Sequence, residues 1–140
     1  MVTAVVGHAD AGSYEFVYAT AGHPPPILLE PGREPRMLKC GGLPLGVMEG
    51  ARYAVNRVQS VPGALLVLYT DGAVEYSHDV VAAEDTLLGA VATAARSGER
   101  DIASRIHANI FEDRQVGDDV AILTIGFGRQ PAVPAAKRIA

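Results

Sequence analysis

Eight consecutive residues, Leu65-Leu66-Val67-Leu68-Tyr69-Thr70-Asp71-Gly72, restrict the fold more than any other part of the chain. The run is apolar and β-favouring and opens after the turn pair Pro62-Gly63, so it reads as a strand buried on both faces. Such a strand needs a packed layer on either side. It ends in Asp71 and Gly72, which puts a carboxylate on the tip of a rigid element and lets the neighbouring backbone approach a ligand closely. The same octapeptide also reads as a buried strand leaving through an ordinary Asp-Gly turn, and only the rest of the chain can separate the two.

Upstream, residues 2–8 and 14–20 are β-rich and flank the turn residues Ala9-Asp10-Ala11-Gly12-Ser13, which predicts a hairpin. Tyr14, Phe16 and Tyr18 alternate with Glu15, Val17 and Ala19, so the aromatics share one face. Ala21-Gly22-His23-Pro24-Pro25-Pro26 is a rigid connector. Beyond it, Ile27-Leu28-Leu29 and residues 36–39 predict a second hairpin around Glu30-Pro31-Gly32-Arg33. Gly41-Gly42-Leu43-Pro44-Leu45-Gly46-Val47 is glycine-rich but lacks the lysine and hydroxyl residue of a phosphate-binding P-loop. Residues 53–58 alternate as a further strand. Single histidines such as His8 and His107 fit edge or surface positions better than metal ligation.

After Asp71 the apolar period lengthens. Leu87, Leu88, Val91, Ala94 and Ala95 make one face of a helix over residues 83–96, with Glu84 and Asp85 in its first turn. Ile102, Ile106 and Ile110 predict a second helix over residues 99–111. An acidic turn, Gln115-Val116-Gly117-Asp118-Asp119, leads into a final buried strand over residues 120–125. The expected architecture is α+β, mainly antiparallel sheet with a late helical pair covering one sheet face. Residues 1–127 form one domain, and residues 128–140 have too few large apolar side chains to order themselves and read as a flexible tail.

The chain has 140 residues, 49% of them hydrophobic, which suffices for one sizeable core. A net charge of −4 with scattered basic residues gives no patch for nucleic acid or an acidic membrane. With no basic leader and no long apolar segment, the composition fits a soluble cytoplasmic protein. Cys40 is the single cysteine, which excludes an internal disulfide and a cysteine-based metal cluster. If the strands carrying Asp71 and Asp118-Asp119 are antiparallel neighbours, their carboxylates lie at one end of the sheet and suit a hard divalent cation. Two unrelated acidic turns remain the alternative.

Several segments in order, Ala21-Gly22-His23-Pro24-Pro25, Gly42-Leu43-Pro44-Leu45-Gly46, Pro62-Gly63 with the run to Gly72, Glu75, and Gly117-Asp118-Asp119, resemble the signature of bacterial SpoIIE-type phosphatases. These belong to the metal-dependent serine/threonine phosphatases of type 2C. The resemblance implies a β-sandwich with helices on its outer faces and a binuclear manganese or magnesium centre at one end. It makes Asp71 and Asp118 metal ligands and gives Gly72 and Asp119 supporting places. Gly22, His23 and Glu75 are motif positions without an assigned chemical role. The implied substrate is phosphoserine or phosphothreonine on a small STAS-like anti-sigma-factor antagonist, in sigma-factor regulation.

The family also carries, upstream of the portion matched here, an Asp followed closely by Gly-His-Gly that bridges both metals; Gly7-His8-Ala9-Asp10 does not reproduce it. Ala64 and Tyr76 are further departures from the family pattern. The chain is therefore expected to be the C-terminal portion of a phosphatase domain, with the N-terminal part missing. Alone it would hold at most one cation weakly and be inactive or weakly active. An uncovered sheet face would favour a homodimer. Against the enzyme stands a pseudophosphatase, a binding module for a regulatory partner, and behind both a purely structural α+β domain.

Overall fold

The computed structural model describes residues 1–77, 79–112 and 119–128. The predicted ligand Asp118, its neighbour Gly117 and all of the expected tail except Gly128 lie outside them. Two antiparallel sheets and a helical layer stack in three tiers. Strands β1 (Ala4–Asp10), β2 (Glu15–Ala21) and β5 (Asn56–Gln59) form the first sheet in the order β1-β2-β5. Strands β3 (Ile27–Leu29), β4 (Arg36–Met37), β6 (Leu65–Tyr69) and β7 (Ile122–Gly126) form the second in the order β4-β3-β6-β7. Helices α1 (Val80–Arg96) and α2 (Ile102–Phe111) lie on the second sheet.

The all-apolar character of β6 follows from its place between two cores. Leu65, Val67 and Tyr69 face the helical side, with Ile27, Leu87, Val91, Ile106 and Ile110. Ala64 and Leu66 face the other way, with Phe16, Tyr18, Leu28 and Phe127 between the sheets. Period-two alternation therefore feeds two cores rather than a core and solvent. Phe16 and Tyr18 stack with ring centroids 4.6 Å apart and anchor the first sheet.

Both predicted hairpins form, β1 against β2 and β3 against β4, and the helices cover one sheet face as expected. Several details differ. Tyr14 has a positive φ of 58° and sits in the turn, outside β2. The strand expected over residues 53–58 starts later and ends one residue further on, at Asn56–Gln59. Helix α1 begins at Val80, capped by the Asp79 carboxylate accepting from the Ala82 N–H, so Glu84 and Asp85 fall beyond its first turn. Helix α2 begins at Ile102 behind Asp101. Strand β7 is not a buried strand: among the described residues it is the edge of the second sheet, with Leu123 exposed. Where the resemblance implies helices on both outer faces, the described helices cover only that of the second sheet. Among the described residues no helix is long and apolar enough to cross a membrane.

Candidate metal centre

Strands β6 and β7 are antiparallel neighbours, with Tyr69 opposite Ile122. The exit of one and the entrance of the other therefore share an end of the sheet. Asp71 begins a single turn of 3-10 helix, Asp71–Ala73, and is exposed. Its backbone carbonyl accepts from the N–H groups of Val74 and Glu75, each at 2.8 Å. One carboxylate oxygen accepts from the Gly72 N–H at 3.1 Å. Gly72 and Ala73 are buried beneath it, so the carboxylate sits on packed backbone at an open edge.

Asp119 lies across from this turn, exposed, at the approach to β7. Gly72 packs against its main chain, so the close approach expected at that glycine is filled by protein. Thr70 bonds to the same segment: its hydroxyl donates to the Asp119 carbonyl at 3.3 Å and accepts from the Ala121 N–H at 2.9 Å. Glu75 has an exposed side chain and contributes its backbone N–H to the turn.

His23 also reaches this end. Its ring is half-buried, with Nδ1 3.5 Å from the Thr3 hydroxyl. Burial holds the imidazole below its ordinary range, opposed by the nearby Asp71 carboxylate and a hydrogen bond with the Tyr69 backbone. The connector before β3 thus stands beside the tip of β6. Gly22 takes a positive φ of 62° and donates its N–H to the Gly42 carbonyl at 3.0 Å. The Thr20 hydroxyl donates to the Gly41 carbonyl and accepts from the Gly41 N–H, both at 2.9 Å. Two motifs far apart in sequence, around Gly22-His23 and Gly42-Leu43-Pro44, are one packed unit.

The donors here are oxygens, the type that manganese and magnesium take, so Asp71 fits a hard cation. Among the described residues no group of three or more His, Cys, Asp or Glu side chains converges on one point. Asp71 would hold an ion only with donors from outside those residues. In the sequence Thr70 counted only as the last residue of the rigid run that mounts Asp71, and Thr20 only as part of a β-rich segment; neither hydroxyl had a role. The available signal was a hydroxyl residue at a strand end, where its side chain can replace a main-chain partner.

The family model for stage II sporulation protein E (SpoIIE) matches residues 1–128. The solved structure of the RsbU and RsbW domains of a Mycobacterium tuberculosis protein is similar at 30% identity and a TM-score of 0.78, covering 87% of this chain and 35% of that one. The manganese-presoaked phosphatase domain of the Bacillus subtilis cell fate determinant SpoIIE matches at 15% identity and a TM-score of 0.70, covering 92% and 58%. PppA, a regulatory component of the type VI secretion system in Pseudomonas aeruginosa, matches at 14% identity and a TM-score of 0.54, covering 80% and 53%. The chain thus spans less than two thirds of each of these proteins, and its fold is that of part of a type 2C phosphatase domain. By its sequence match over residues 1–128, this chain belongs to the SpoIIE family.

Proposed function

We propose that this chain contributes part of the metal-dependent site of a phosphoserine/phosphothreonine protein phosphatase, with Asp71 and Asp118 as metal ligands. The observation that carries this reading is the exposed Asp71 carboxylate, held on a buried glycine-alanine step at the end where β7 begins. Family membership supports the reaction class. A divalent cation bound there would lower the pKa of a water and neutralise charge on the phosphoryl group. The chain's own part is to fix the carboxylates: β6 mounts Asp71, and the Thr70 and Gly72 contacts hold the approach to β7 beside it. Further donors complete the binuclear site, so this chain alone turns over weakly or not at all.

The substrate we propose is a phosphorylated anti-sigma-factor antagonist, acted on in the cytoplasm in sigma-factor regulation. Support comes from the similar Mycobacterium tuberculosis structure, which carries RsbU and RsbW domains. Titration of the chain with manganese, alongside hydrolysis of a small aryl phosphate, tests the site. Saturable binding lost in Asp71→Asn, with any turnover lost in parallel, is expected. Binding with no turnover at all, even when the rest of a type 2C phosphatase domain is supplied, would instead make the chain a binding module. No manganese response in the unaltered chain would remove the metal reading.

A further inference from the structure

We infer that the Thr70 hydroxyl is a positioning group that lets the chain turn out of β6 at Asp71 while keeping the approach to β7 locked beside it. This inference rests on the reading of Asp71 and Asp118 as metal ligands. In an antiparallel ladder, a hydrogen-bonded pair exchanges two bonds, each residue's N–H donating to the other's carbonyl. Register places Thr70 opposite Ala121, one step beyond Tyr69 and Ile122. The first bond is present: the Thr70 N–H donates to the Ala121 carbonyl at 3.0 Å.

The second bond is replaced. The Thr70 carbonyl instead accepts from the Ala73 N–H at 3.0 Å, which closes the 3-10 turn that presents Asp71. The Ala121 N–H would lose its ladder acceptor, and the Thr70 hydroxyl supplies one, at 2.9 Å. The same oxygen donates its proton to the Asp119 carbonyl at 3.3 Å. One side chain thus satisfies the backbone on both sides of Val120. Its main-chain carbonyl is thereby released to the turn that carries the neighbouring carboxylate.

A strand that simply continued would keep the ladder but carry Asp71 onward in extended conformation. A turn without the hydroxyl would leave the Ala121 N–H unpaired. Serine preserves the oxygen, whereas valine preserves the β-branched shape without it.

The test compares Thr70→Ser and Thr70→Val in the 140-residue chain with two readouts. In metal-free protein, amide hydrogen exchange at Ala121 is expected to accelerate by about tenfold or more in Thr70→Val and to stay near the unaltered rate in Thr70→Ser. In manganese titrations, Thr70→Val is expected to bind about 10- to 100-fold more weakly, the usual scale for groups that orient ligands, with Thr70→Ser restoring most of the affinity. Thr70→Ala removes the same oxygen with less bulk and replaces the valine variant if that does not fold. Unchanged protection at Ala121, or unchanged manganese affinity in a folded hydroxyl-free variant, overturns this inference and leaves the metal-site reading standing. No manganese binding by the unaltered chain overturns both.

Discussion

A Cβ built on Gly72 would stand 2.6 Å from the carbonyl oxygen of Asp119 and 3.2 Å from its carbonyl carbon. The neighbour is main chain on the approach to β7, so no side-chain rotation can relieve the clash. Glycine is required here for space, at a position where its φ is not in the left-handed region. Gly72→Ala must push the Asp71 turn away from Asp119. The expected cost is about 1–3 kcal/mol, as for other overpacked sites, measurable from urea denaturation midpoints. Manganese binding should weaken in the same variant.

Gly22 faces two separate constraints. Its φ is 62°, and a Cβ there would lie 2.5 Å from Pro44 Cγ and 2.9 Å from Pro44 Cδ. Gly22→Ala is therefore expected to destabilise by about 1–2 kcal/mol for left-handed backbone, plus a packing term of about 1–3 kcal/mol. Pro44→Ala removes the Cγ and Cδ atoms but leaves the backbone angle. A double-mutant cycle on denaturation free energies should thus show Pro44→Ala recovering the packing part only. Complete additivity would mean that the two loops do not press on each other.

The sequence made β6 legible because burial on both faces leaves an uninterrupted apolar run, and its two cores lie where Leu65 and Leu66 alternate. Other elements were hidden by physical ambiguity. An apolar run does not distinguish a central strand from an edge, and β7 proved to be an edge with Leu123 exposed. Val80 and Val81 are β-branched and exposed, so the helical pattern became visible only from Ala83, although Asp79 starts the helix. At the candidate site, Asp71 could be picked out as a carboxylate on a strand end. The clasp by Thr70 could not, because it depends on register with a residue 51 positions away. The docking of Gly22 on Pro44 is likewise tertiary. The second proposed ligand, Asp118, falls outside the described residues.

The Tyr18 hydroxyl donates to the Lys39 carbonyl at 2.7 Å, tying the first sheet to the chain just before the glycine-rich loop. Its ring is buried against Phe16. Tyr18→Phe keeps the stacking and removes the bond, leaving the Lys39 carbonyl without that donor. A loss of about 1 kcal/mol is expected, read from equilibrium unfolding. Faster amide exchange should be concentrated around Gly41 and Gly42 rather than spread through the sheet.

Asp101 makes the stability of α2 depend on pH. Its carboxylate caps the helix, accepting from the Ser104 N–H at 3.0 Å and from the Ser104 hydroxyl at 2.7 Å. These bonds, the backbone one foremost, hold its pKa below the ordinary carboxylate value. The folded state therefore favours the ionised form. Its stabilisation is complete above the unfolded value of 3.8 and is lost as pH falls through the lower folded value. Asp101→Ala should lower the denaturation midpoint at neutral pH, and the gap from the unaltered chain should narrow on acidification below 3.8. Asp101→Asn keeps a capping oxygen without the charge, so its midpoint should lose this acid-dependent component. Parallel pH profiles for the unaltered chain and Asp101→Asn would show that the cap does not act through ionisation.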